Sequence, residues 1–100
     1  MATVNVCFMP ASVVKDLSTV GASSQVTSEA VTSSATSQAT TITASNGDHV
    51  CRIAVSGNDV WVKFGPTPTA ASASDILMLA GSVEYFDINE GDKVAVMDAA

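Results

Sequence analysis

A histidine and a cysteine two residues apart, His49 and Cys51, are this chain's nearest approach to a reactive pair. In a strand, residues i and i+2 share a face, so imidazole and thiol would stand side by side. They could act as nucleophile and base, or as two ligands of a metal ion. His49 is the only histidine, and no Cys-x-x-Cys or His-x-His spacing supplies further ligands. The pair reads instead as a strand-entry histidine beside a turn, followed by a buried cysteine. A second cluster, Asp87, Glu90 and Asp92, surrounds a turn containing Asn89 and Gly91 and offers oxygen atoms to a cation such as Ca²⁺. Its spacing falls short of a calcium loop, and acids next to Asn and Gly are ordinary turn formers. The six glycines sit in separate turns, so no phosphate-cradling loop forms. No catalytic residue, cofactor or metal is assigned, and the chain reads as non-enzymatic.

The residues left over are suited to contact. In Val60-Trp61-Val62-Lys63-Phe64 both strand faces carry large apolar groups. Trp61 therefore reads first as a core side chain and second as a contact with another subunit. Tyr85 and Phe86 are adjacent and must face opposite ways in a strand; the polar-tipped Tyr85 is the better surface group. Pro66 and Pro68 mark a loop, because proline donates no ladder hydrogen bond. Trp61, Tyr85, Pro66 and Pro68 are the candidate partner contacts.

The elements that position these residues are strands. The pattern predicts Thr3–Phe8, a further strand near 12–19, Gln38–Ala44, His49–Ser56, Val60–Phe64, Ile76–Leu79, Ser82–Ile88 and Lys93–Met97. In His49–Ser56, Cys51, Ile53 and Val55 fall on one face and Val50, Arg52 and Ala54 on the other. Ser45-Asn46-Gly47-Asp48, Ser56-Gly57-Asn58-Asp59, Ala80-Gly81 and Asn89-Glu90-Gly91-Asp92 are turns. The loop between Ser56 and Asp59 is short enough to predict a hairpin. No stretch has convincing helical periodicity. Seven or eight short strands with turns at this spacing predict an all-β, jelly-roll-like β-sandwich occupying 1–100 as one domain. Between Ser18 and Ser45, fifteen of twenty-eight residues are Ser or Thr. That region is expected to contain the strand near Gln38–Ala44, with a looser, arm-like stretch before it.

Composition narrows the function. Apolar residues make up 47% of the chain but aromatic ones only 5%, so the core must be aliphatic and modest. A core of this kind gains from a shared interface, which predicts a homo-oligomer. The net charge is −6, and the four cations Lys15, Arg52, Lys63 and Lys93 are scattered. They form no stripe for nucleic acid and no patch for an anionic membrane surface. No segment approaches the roughly 20 apolar residues that span a bilayer. Met1–Pro10 lacks the charged and apolar regions of a signal peptide, so Cys7 and Cys51 are expected to be reduced and to act as small hydrophobes.

From Asn46 to Ala99 the strands and turns resemble a pattern in small virion accessory proteins of tailed bacteriophages. The resemblance is carried by Arg52-Ile53-Ala54-Val55, by Asp59 to Gly65 with Pro66-Thr67-Pro68-Thr69, by Leu77 to Phe86, and by Gly91-Asp92-Lys93-Val94-Ala95-Val96. It implies a β-sandwich made in the host cytoplasm that decorates or cements a capsid by binding the major capsid protein or other virion proteins. It equally implies a head–tail or fibre-base component. The matching positions look structural: Gly65, Gly81 and Gly91 end strands or make turns, and Val83, Phe86, Val94 and Val96 are expected in the core. A carbohydrate-binding sandwich is the reading from another class, with only Trp61 and Tyr85 available to stack on a sugar.

Overall fold

The computed structural model describes residues 1–10, 27–45, 48–71 and 75–99. The strand expected near 12–19, and Asn46 and Gly47 of the first turn, lie outside those residues. Eight strands form: β1 (Thr3–Pro10), β2 (Thr27–Thr32), β3 (Gln38–Ala39), β4 (Asp48–Ser56), β5 (Val60–Gly65), β6 (Ile76–Met78), β7 (Val83–Asp87) and β8 (Lys93–Asp98). They make two four-stranded sheets, ordered β2-β1-β4-β7 (sheet A) and β3-β8-β5-β6 (sheet B), with every pairing antiparallel. The molecule is an all-β sandwich.

Alternation dictates the packing. On sheet A, Val4, Val6 and Phe8 of β1 and Cys51, Ile53 and Val55 of β4 point inward, and all are buried. Sheet B answers with Val60 and Val62 of β5, Met78 of β6 and Val94 and Val96 of β8, which join the same apolar cluster. Full burial of one such side chain stabilises by about 1.5–3 kcal/mol, so this apolar set, mostly aliphatic around Phe8, is what holds the sheets together. Phe64 of sheet B and Phe86 of sheet A meet at one side of the gap, ring centroids 5.1 Å apart and tilted by 51°.

Several expectations are corrected. β4 and β5 are not a hairpin: Ser56–Asp59 carries the chain from sheet A to sheet B. Both strands carry inward apolar rows that need partners on both sides, and separate sheets satisfy this. The chain crosses between sheets again from β6 to β7 and from β7 to β8. Gly57 makes the β4–β5 crossing with a φ of +99°, where a Cβ would also press to 3.3 Å from the Met1 carbonyl oxygen. A strand absent from the sequence expectation, β2, forms within the Ser/Thr-rich region, and only Gln38–Ala39 of the expected Gln38–Ala44 strand pairs in regular register. The described part of that region, 27–45, is built into the sandwich and is not an arm. Thr40–Ala44 continues along the edge of β8 through Thr40 N–H to the Val94 carbonyl and Ala44 N–H to the Asp92 carbonyl, both 2.9 Å. Val83, expected in the core, is 47% exposed.

Candidate functional site

The His49–Cys51 pair is taken apart by a β-bulge. Met9 pairs with Val50 and Pro10 with Asp48, so His49 is an extra residue in β4. The bulge reverses the alternation: Asp48 and Cys51 are buried while His49 is exposed. Asp48 Oδ2 accepts the Ser45 N–H at 2.9 Å, which fixes the bulged strand entry. Burial pushes the Cys51 thiol up to about 12, with Cys7 adding a smaller push. Cys7 is the register partner of Arg52, and Cys51 of Phe8, so the two sulfurs lie on opposite faces of sheet A and both are free. Among the described residues no group of three His, Cys, Asp or Glu side chains gathers to hold a metal ion. In the acidic turn, Asp92 Oδ2 accepts the Asn89 N–H at 3.1 Å, while Asp87 and Glu90 face solvent.

The four candidate contacts do not form one surface. Trp61 is half-buried on the outer face of sheet B, not in the core, because its inward-facing neighbours Val60 and Val62 fill that side. It lies in a row with Leu77 of β6 and Met97 of β8. Pro66 and Pro68 follow the end of β5, Pro66 exposed and Pro68 partly buried. Their loop reaches back to the far edge of the sheet, where the Ala70 N–H donates to Ser37 Oγ at 2.9 Å. Ala70 is buried, as is Ala95 on the outer face of β8. Tyr85 is 48% exposed on the opposite outer face, beside Arg52. Trp61 and Tyr85 therefore provide no common platform for stacking on a sugar.

Exposed apolar side chains gather instead in one stretch of chain, where the sequence suggests an apolar run at Ile76–Leu79, a core residue at Val83 and a surface group at Tyr85. Six large apolar side chains are exposed among the described residues, and five of them, Ile76, Leu77, Leu79, Val83 and Tyr85, fall within ten residues of chain. Leu77 stands on the outer face of sheet B, and Val83 and Tyr85 stand on that of sheet A, on the two sides of the flank where β6 and β7 are the edge strands. The available sequence signal was Ile76-Leu77-Met78-Leu79: four successive apolar residues cannot all face inward from one strand. Only Met78 does.

One cross-strand row organises both flanks. Glu29 of β2 pairs with Val6, Val6 with Ile53, and Ile53 with Glu84 of β7. Val6 and Ile53 are fully buried, so both glutamates project on the core-facing side at opposite edges of sheet A. Glu29 reaches across the gap: its Oε1 accepts the Thr41 N–H at 2.8 Å, the Thr41 hydroxyl at 3.1 Å and the Ile42 N–H at 3.1 Å. Buried hydroxyls finish that flank. Thr40 Oγ1 accepts the Val94 N–H at 3.2 Å and donates to the Ile42 carbonyl at 3.0 Å. Ser33 Oγ accepts the Ala2 N–H at 2.7 Å and donates to Asp98 Oδ1. Glu84, by contrast, is exposed and bonds to none of the described residues.

The backbone of β7 is equally open. Ser82 accepts from Val55 and Ile88 donates to His49, so residues 82, 84, 86 and 88 face β4. Val83, Tyr85 and Asp87 then turn their N–H and C=O groups away from the sheet. Arrayed main-chain groups beside exposed apolar side chains suit contact with another polypeptide. Comparison with known proteins finds no matching family model, no matching curated protein and no matching solved structure.

Proposed function

We propose that this protein is a structural, non-enzymatic component of a bacteriophage particle that decorates and stabilises the capsid by binding capsid protein surfaces. The observation that carries the reading is the open flank, where five exposed apolar side chains surround two edge strands. Soluble domains seldom leave such a patch on an edge unless something covers it. The net charge of −6 and the scattered cations favour a protein partner over nucleic acid or an anionic membrane. The strand and turn pattern from Asn46 to Ala99 points to the virion setting. We also read the fold more finely as a jelly roll: the sheet orders match one in which the strand that commonly comes last instead opens the chain, as β1 between β2 and β4. Self-assembly belongs to the same proposal, with the Leu77–Trp61–Met97 row as a surface two copies can share.

The test is the copy number of the chain relative to the major capsid protein in purified particles. Parity, or a simple fraction of it, is the expected result. A handful of copies would move the protein to the head–tail or fibre-base region, and absence from particles would overturn the virion reading. Light scattering at high concentration tests self-assembly, and a monomer would sink that part.

A further inference from the structure

We propose that the open edge of β7 takes up an extended segment of a partner protein as a fifth strand of sheet A, and that this segment alternates apolar–basic–apolar with its basic residue opposite Glu84. The inference rests on the reading that the open flank binds protein, and it names the chemistry of what binds.

Three observations converge. The outward main-chain groups of Val83, Tyr85 and Asp87 form a ladder edge, and main-chain bonding to such an edge binds a peptide without regard to its sequence. Specificity then comes from the side chains directly opposite, about 4.5–5.5 Å apart across a strand pair. Val83 and Tyr85 on the outer face ask for apolar neighbours, and Glu84 between them, on the inner face, asks for a cation. No Lys or Arg lies on β6 or β7, and Asp75 and Asp87 add negative charge at the same flank. Arg52, the nearest cation by register, is paired with Tyr85 and so lies on the other face from Glu84.

A second copy does not fit. Its own β7 would bring acidic Glu84 and Asp87 to an acidic edge. Among the described residues the chain's apolar–basic–apolar triplets are Cys51-Arg52-Ile53 in β4 and Val62-Lys63-Phe64 in β5, and both strands are already paired on both sides. The molecule also contains the precedent. At the other end of the row, Glu29 is satisfied by main-chain N–H groups of Thr41 and Ile42, in a segment that bends at those residues and lies against that flank.

The test titrates the isotope-labelled full chain with two capped nine-residue peptides, one alternating Val and Lys, the other Val and Glu. The Lys peptide is expected to bind at least tenfold more tightly, with amide shifts and slowed exchange at Val83, Tyr85 and Asp87. Glu84→Lys, a change at an exposed side chain, is expected to reverse the preference. Absence of binding, equal binding of the two peptides, or shifts confined to other strands would overturn the proposal. Emptied capsid shells separate it from the virion reading. If the wild-type chain and Glu84→Lys sediment equally with shells, strand addition fails while the virion reading stands. If the peptides behave as expected but shells bind neither chain, the virion reading fails while strand addition stands.

Discussion

The β2/β3 flank and the β6/β7 flank close the same core with opposite chemistry. On the first, Glu29 accepts three hydrogen bonds from Thr41 and Ile42, buried Ser33 and Thr40 hydroxyls satisfy nearby backbone groups, and no large apolar side chain of β2 or β3 is exposed. On the second, Glu84 stands at the mirrored position with no partner among the described residues, and Ile76, Leu77, Leu79, Val83 and Tyr85 of the two edge strands and the turn between them are exposed. A glutamate projecting inward at a sheet edge protects it from indiscriminate pairing. Where the chain's own segment satisfies that carboxylate, the flank is finished. Where none of the described residues does, the flank is selective but open.

The largest effect is expected at the middle of the shared row. Ile53→Ala removes a fully buried side chain that both flanks lean on, and should cost about 2–5 kcal/mol by urea denaturation. A loss near zero would mean that the row does not bear on the core. Next comes Cys51, two residues along β4. Its thiol keeps its proton in the folded chain up to about pH 12, whereas the unfolded chain releases it above about 9. The unfolded state then binds fewer protons, so stability is intact below pH 9 and falls as pH rises, by about 1.4 kcal/mol per unit from this group. Denaturation curves of the wild type and Cys51→Ala between pH 8 and 11 should diverge for this reason; parallel curves would contradict the buried placement.

The direct contrast between the flanks is smaller. Glu29→Ala should destabilise by about 1–2 kcal/mol, since charge-assisted bonds to two main-chain N–H groups and a hydroxyl are lost. Glu84→Ala should change stability by no more than about 0.5 kcal/mol, as for other exposed side chains. Equal effects would erase the distinction. Smallest of all in stability, Leu77→Ser and Val83→Ser should leave the melt almost unmoved while weakening sedimentation with capsid shells. A clear fall in melting temperature without loss of binding would return both residues to a structural role.

Much of the sandwich was legible in the sequence because period-two alternation is local: Cys51, Ile53 and Val55 face inward as their spacing requires. Connectivity was less legible. The short Ser56–Asp59 turn suits a hairpin as well as a crossing between sheets, and only packing decides between them. β2 is not legible in the sequence because Thr27-Ser28-Glu29-Ala30-Val31-Thr32 has one buried apolar residue, Val31, where a strand signature needs several. The bulge at His49 left no local signal, and it separated the one pair that resembled a reactive site. Tyr85 is exposed and Phe86 partly buried, as adjacent residues of one strand must face opposite ways. A strand apolar on both faces does not say which face is the core, and the neighbours that cover Trp61 on the outer face, Leu77 and Met97, come from distant parts of the chain. The open flank stayed hidden for the same reason, since exposure of Ile76 to Leu79 depends on β6 being an edge strand.

The most direct test of the account is amide hydrogen exchange on the full chain, free and bound to emptied capsid shells. Binding through the open flank should slow exchange across Val83–Asp87 and leave Thr27–Thr32, the edge of the finished flank, unchanged. Protection at Thr27–Thr32 with none at Val83–Asp87 would contradict it.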